Sequence, residues 1–291
     1  MKKILITGVN SYVGNSFEKW VSDYPEQYSV DKISLRDGSW KEKDFSGYDV
    51  VLHVAGIAHQ KETKENAHFY YKVNRDLAFE VAQKAKGEGV KQFIFLSSMS
   101  VYGMDKGVIH KYTPANPKSN YGKSKLQAEG LIKSLDDDYF RIAILRPPMI
   151  YGKGCKGNYQ RLAKLAMKSP LFPDVNNKRS MIYIDNLSEL IRLLIDGFEE
   201  GIYFPQNEEY VCTSDMVRTI AETHGCNIRL TKLFNYPIRL FRFSIIDKVF
   251  GDLVYEKTLS TNKNKPKIDF IGFEESIKMT EGWHEKNSNT L

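Results

Sequence analysis

Lys2-Lys3-Ile4-Leu5-Ile6-Thr7-Gly8-Val9-Asn10-Ser11-Tyr12-Val13-Gly14 opens the chain directly after Met1, and its reading decides the fold. The β-branched apolar run predicts a short buried strand, Thr7-Gly8 its turn, and a helix is predicted to begin near Tyr12. Strand, glycine turn and helix in that order form the phosphate-binding entry of a doubly wound, Rossmann-type α/β fold. Gly8 permits the tight turn and Gly14 a close approach of helix to strand. The middle glycine of the usual GxxGxxG is Ser11 here, small enough to admit a pyrophosphate. Gly8, Asn10, Ser11, Tyr12, Val13 and Gly14 are therefore the first candidates for holding a dinucleotide.

Outward from this entry the strand-and-helix rhythm continues. Tyr28 to Leu35 predicts a second strand ending in Arg36-Asp37. That position meets the adenosine ribose, where an arginine suits a 2′-phosphate and an acid a free hydroxyl. Arg36 favours NADP(H), while Asp37 leaves NAD(H) open. Asp44 and Phe45 are placed beside the adenine. The run Asp49 to Gly56 predicts a buried strand, with Ala55 and Gly56 letting backbone approach the cofactor and His53 a structural core residue. One long helix is expected from about residue 64 to 86, with Phe69, Val73, Leu77 and Val81 as its apolar stripe. Strands follow at Phe93 to Leu96, ending in Ser97-Ser98, and at Phe140 to Leu145. Residues 1–152, with about 180–202 returning to the sheet, are expected to form the dinucleotide domain, and 153–179 plus 203–291 a smaller substrate lobe. The polar, lysine-rich tract 260–267 is expected to be a mobile surface loop.

Tyr121-Gly122-Lys123-Ser124-Lys125 puts a phenol and an ammonium one helical turn apart, on one face. A free tyrosine titrates near ~10, so a phenolate at neutral pH needs about 4 kcal/mol of stabilisation, and a nearby cation is one source. An isolated YxxxK is more often a surface pair. Its setting, after a strand that ends in serines, gives it weight.

The 291 residues are 42% hydrophobic and 27% charged, as in globular proteins. Cys155, Cys212 and Cys226 show no metal or disulfide spacing, and no metal is expected. No apolar run reaches membrane length, so a cytoplasmic protein without a membrane partner is expected. The net charge is +6. Residues 151–179 alone carry seven basic residues against one acid, Asp174. Without interleaved aromatics this patch argues for a small anionic substrate over nucleic acid.

TGVNSYVG, LSSMSVYG, YGKSK, RPPMIYG and NNKRSMIYIDNL occur in one chain, in that order. Together they resemble the extended short-chain dehydrogenase/reductases, the nucleotide-sugar epimerase/dehydratase family, over nearly the whole length. The resemblance implies Tyr121 as catalytic acid/base, Lys125 as the group that anchors the nicotinamide ribose and lowers the Tyr121 pKa, and Ser98 as hydrogen-bond partner of the substrate oxygen. It implies Asn74 and Pro148 beside the cofactor, and Ser98, Ser100, Asn158 and Arg179 around a UDP-sugar, with Arg179 on the diphosphate. A homodimer through the 66–86 and 121–134 helices is implied as well. Members that eliminate water across C5 and C6 carry Asp-Glu after the catalytic hydroxyl. Met99 and Ser100 stand there in this chain, which argues against a 4,6-dehydratase. The chain length, Arg36 and PLFPDVNNKRS favour a reductase of UDP-4-keto-6-deoxy-hexosamines serving surface polysaccharide synthesis. A UDP-glucose or UDP-N-acetylglucosamine 4-epimerase with retained NAD is the alternative, and an inactive NADP-sensing regulator a remote one.

Overall fold

The structure is a computed structural model that describes residues 1–58, 60–234, 249–260 and 269–282. The tract expected as a loop at 260–267 lies, from residue 261 on, outside the described residues. Six parallel strands form the central sheet: β1 (Lys2–Thr7), β2 (Tyr28–Ile33), β3 (Val50–His53), β4 (Gln92–Leu96), β6 (Arg141–Leu145) and β10 (Gly201–Tyr203). Their spatial order is β10-β6-β4-β3-β1-β2. The chain reverses direction across the sheet between β1 and β3, and ligands of such sheets bind at that switch, outside the carboxyl ends of the strands.

The continuous apolar runs of these strands follow from burial on both faces. Ile4 and Ile6, Val50 and Leu52, Ile94, and Ala143 and Leu145 face one core layer. Leu5, Val51, Phe93, Phe95, Ile142 and Ile144 face the other. At ~1.5–3 kcal/mol for each large side chain buried, this alternation fixes the register of every strand. Helices α1 (Tyr12–Val21) and α6 (Ile184–Asp196) pack together over the first layer. The second is covered by α3 (Ala78–Gly87), α4 (Asn120–Lys133) and the end of a π-helical stretch (Lys72–Leu77), which α2 (Ala67–Tyr71) leads into.

The expected single helix over 64–86 is thus broken by a π turn; the first half of its stripe moves by one residue, while Leu77 packs against the core and Val81 is buried as expected. Phe69 is 46% exposed, whereas Tyr70, Asn74, Ala78 and Ala82 face inward. The wider turn delivers the polar Asn74 to the site at zero exposure.

The return to the sheet also comes later than expected. Residues Met181–Tyr183 (β9) pair with β7 (Met149–Tyr151) outside the central sheet, and only β10 joins it, beside β6. Helices α5 (Asn158–Lys168), α7 (Thr213–Thr223) and the helix Phe273–Glu281 pack beside one another. Strand β8 (Leu171–Pro173) pairs with β11 (Arg229–Thr231), and β5 (Gly107–Ile109) with β12 (Leu253–Tyr255). The last ladder ties the segment after β4 to the C-terminal part of the chain. Among the described residues no helix is long and apolar enough to cross a membrane.

Candidate active site

Gly8 sits at φ +90°, and a Cβ there would lie 3.1 Å from Ala55 Cα. The turns after β1 and β3 therefore meet backbone to backbone at the switch point. A Cβ on Gly14 would come within 2.8 Å of Ile6 Cγ2, the close helix-on-strand contact expected of it. Ser11 is the N-cap of α1, its hydroxyl accepting from Gly14 N at 3.3 Å. That explains a serine where the motif usually has glycine.

Asn10 is exposed on the turn. The side chains of Tyr12 and Val13 turn inward: Val13 is core, and the Tyr12 hydroxyl is buried. Only their backbone can serve a phosphate. A Cβ on Gly56 would meet Asn74 Oδ1 at 2.9 Å and Lys125 Nζ at 3.4 Å. The bare backbone of Gly8 and Gly56 makes a cradle that side chains would fill, so these residues fit a dinucleotide.

At the adenosine end Arg36 is exposed beyond β2, while Asp37 accepts locally from Ser39 N at 3.2 Å and Ser39 Oγ at 2.7 Å. Asp44 likewise accepts from Ser46 N at 2.8 Å. The Phe45 ring is fully buried in the core beneath the Lys84 ammonium, so it packs against protein and cannot itself flank an adenine.

The catalytic candidates converge where β4 ends against the start of α4. Ser98 follows β4 by two residues; its hydroxyl accepts from Ser100 N and donates to Ser100 Oγ, both at 3.1 Å. Burial raises the Tyr121 pKa, the nearby Ser98 hydroxyl pulls it down, and Tyr70, edge-on at 6.5 Å, pushes it up. The downward pull assigned to Lys125 is therefore Ser98's in this structure. The Lys125 ammonium is turned elsewhere, donating to Leu96 O at 2.7 Å and lying 4.6 Å over the Phe95 ring. Burial lowers its own pKa to about 8, against the field of Glu129.

Asn74 accepts from Ile57 N at 2.7 Å and donates to Ile57 O at 3.0 Å, strapping the Gly56 turn to the π-helical stretch. Its amide also reaches Ser124 Oγ at 3.3 Å. The loop holding Pro148 is tied to the serine loop by Met99 N donating to Pro147 O at 2.9 Å.

The substrate candidates are more dispersed. Ser100 is exposed beside Ser98, and Asn158 is the first residue of α5. Arg179 joins Val211 and Leu253 through its backbone and donates from Nη1 to Gly251 O at 2.8 Å. Burial lowers its pKa, opposed by Asp252 and Asp105. The basic side chains of α5, Arg161, Lys164 and Lys168, are exposed.

The NAD-dependent epimerase/dehydratase family model matches residues 4–212. This chain belongs to that family. It is an NAD(P)-dependent enzyme of the extended short-chain dehydrogenase/reductase type. It is 31% identical over 277 residues to the UDP-glucose 4-epimerase of Vibrio cholerae, covering 86% of this chain and 83% of that one. It is 26% identical over 260 residues to the N-acetyl-alpha-D-glucosaminyl-diphospho-ditrans,octacis-undecaprenol 4-epimerase of Escherichia coli, covering 86% and 77%. The UDP-glucuronic acid 4-epimerase of Bacillus cereus, solved with NAD, shares the fold at a TM-score of 0.73 and 18% identity, covering 97% and 98%.

Sequence reasoning missed several residues of the site. Glu62 accepts from Asn120 N at 2.9 Å and Tyr121 N at 3.0 Å, capping the catalytic helix from a loop 58 residues away, and no local pattern signals that contact. Ser97, Glu129 and Arg146 form a buried cluster beneath Lys125. Glu129, one turn past Lys125, was legible as a helix-face neighbour.

Proposed function

We propose that this protein interconverts epimers at C4 of a hexose or N-acetylhexosamine carried on a diphosphate, with a UDP-sugar as first choice. The observation that carries this reading is the convergence of Ser98, just after β4, and Tyr121, at the start of α4, at the carboxyl edge of the sheet, with Lys125 one turn along the same helix. Met99 and Ser100 provide no acid/base pair for elimination. Two relatives that each align with 86% of the chain are 4-epimerases, which favours reversible transfer over net reduction. Arg36, exposed beyond β2, supports NADP(H) and a 4-keto reductase as the second reading.

A bound nicotinamide would supply the acceptor and donor of hydride. Gly8, Ser11 and Gly56 would present backbone to the dinucleotide, with Lys125 and Asn74 at its nicotinamide end. Tyr121 takes the proton of the sugar 4-hydroxyl as the C4–H bond gives up its hydride, and Ser98 bonds the same oxygen. In the return direction Tyr121 gives the proton back to the 4-keto oxygen, after the sugar has presented its other face. No net oxidation results. Arg179 offers the planar fork that suits a diphosphate.

The test offers the protein UDP-glucose and UDP-N-acetylglucosamine with NAD. In parallel it is given a UDP-4-keto-6-deoxy-N-acetylhexosamine with NADPH, and undecaprenyl diphosphate N-acetylglucosamine with NAD. C4 epimers without net nicotinamide oxidation support the reading, and the UDP and lipid arms assign the carrier. NADPH consumption with no epimer in any arm replaces it with the reductase. In Tyr121→Phe, kcat is expected to fall at least ~10²-fold with dinucleotide binding retained.

A further inference from the structure

We infer that Glu129 is a positioning residue for the Ser98–Tyr121 pair and for Lys125, acting through a buried side-chain network beneath the site. The inference rests on the roles proposed above for Tyr121 and Lys125. Helix α4 carries Tyr121, Lys125 and Glu129 at successive intervals of four, hence along one face. Two of the three reach the end of β4. Lys125 Nζ donates to Leu96 O at 2.7 Å, and the Ser97 hydroxyl donates to Glu129. Consecutive residues of one strand end are thus pinned by side chains one turn apart on the catalytic helix, and Ser98 is the next residue. The distance between the Ser98 and Tyr121 hydroxyls is set by these two fastenings.

On its other side Glu129 is held by Arg146, which donates from Nε at 3.0 Å and from Nη2 at 2.5 Å. Arg146 also donates from Nη1 to Tyr102 at 2.8 Å, and its carbonyl accepts from the Tyr255 hydroxyl at 2.8 Å. One network therefore joins α4, the ends of β4 and β6, the turn after Ser98 and strand β12. Glu129 is 4% exposed and Arg146 9%.

Stability is a weak reason to bury such a pair, because well-packed apolar residues often serve as well. An apolar pair could not accept from Ser97, nor place a negative charge one turn from Lys125. Lys125 faces His53 from β3, kept neutral by a pKa of about 3, the Phe95 ring from β4, and Glu129 on its own helix. Glu129 is the acid whose field opposes the desolvation of that ammonium. Facing Glu129 itself are Arg146, Tyr102 and Tyr255.

The experiment follows Lys125 by NMR in the full-length protein labelled with ¹³C at lysine Cε, titrated through the alkaline range without cofactor or substrate, with Lys125→Met for assignment. The wild-type midpoint is expected near 8. In Glu129→Gln it should move lower, and in Glu129→Asp, which keeps the charge, it should stay near wild type. If Glu129→Gln does not fold, Glu129→Gln with Arg146→Met removes the stranded guanidinium and carries the same expectation. Turnover of the substrate identified above should fall about tenfold or more in Glu129→Gln, as misplacement of catalytic groups costs, and recover in part in Glu129→Asp. An unmoved midpoint in a folded Glu129→Gln overturns the inference. So does a moved midpoint with unchanged kcat. The titration needs no reaction, so failure of the C4 chemistry is distinguishable from failure of the network.

Discussion

Gly122→Ala is the sharpest test of how the site is spaced. Gly122 adjoins Tyr121 in α4, and an added Cβ would lie 2.6 Å from Ser100 O and 2.9 Å from Pro117 Cβ. Ordinary contact begins near 3.4 Å, so helix and serine loop must part by about 0.8 Å, against backbone that cannot rotate away. Alanine in a helix interior gains up to ~1 kcal/mol over glycine, while overpacking costs ~1–3 kcal/mol. The net stability change is then at most about 3 kcal/mol unfavourable. Catalysis should suffer more, because a shift approaching 1 Å between reacting groups can cost ~10²-fold. Thermal unfolding and steady-state epimerisation measure the two effects separately. Gly130→Ala, on the same helix with open space around it, is the control, expected to be slightly more stable and fully active. Wild-type kcat in a folded Gly122→Ala would refute the idea that the Ser98 loop and α4 are spaced for catalysis.

Arg36→Asp should weaken NADP binding far more than NAD binding in a fluorescence titration, and equal losses would remove Arg36 from the cofactor site. Arg179→Ala should raise KM for the UDP-sugar roughly ten- to a hundredfold, from the ~1.5–3 kcal/mol of a charge-assisted bond; unchanged affinity for UDP would place the diphosphate elsewhere. His53 is buried with a pKa lowered to about 3 from the ordinary 6.5, and bonds Thr7 Oγ1 at 3.1 Å. The unfolded chain binds this proton more readily than the folded one. The stability that neutral His53 permits is therefore whole above the ordinary value and lost progressively as pH falls towards 3. Between pH 7 and pH 4, urea unfolding of the wild type should lose about 3 kcal/mol more than His53→Phe, and parallel curves would contradict this burial.

Local sequence determined the core of the fold because its signals are short-range. The β-branched run at 2–6, the glycine turn and the serine-terminated strand each specify their own conformation, and continuous apolar strands require cover on both faces. The YxxxK face was legible because helical spacing alone brings Tyr121 and Lys125 together. Only the tertiary structure decided where that lysine points. Its ammonium goes to Leu96 O and the Phe95 ring, and it is the Ser98 hydroxyl that pulls the Tyr121 pKa down. The π turn that brings in Asn74 was equally invisible, since a four-residue spacing fits the stripe at Phe69 as well as the one at Tyr70. The Glu62 cap and the Ser97–Glu129–Arg146 cluster join residues from 17 to 59 positions apart. Contacts over such separations depend on how strands and helices stack, and no periodicity along the chain encodes that stacking.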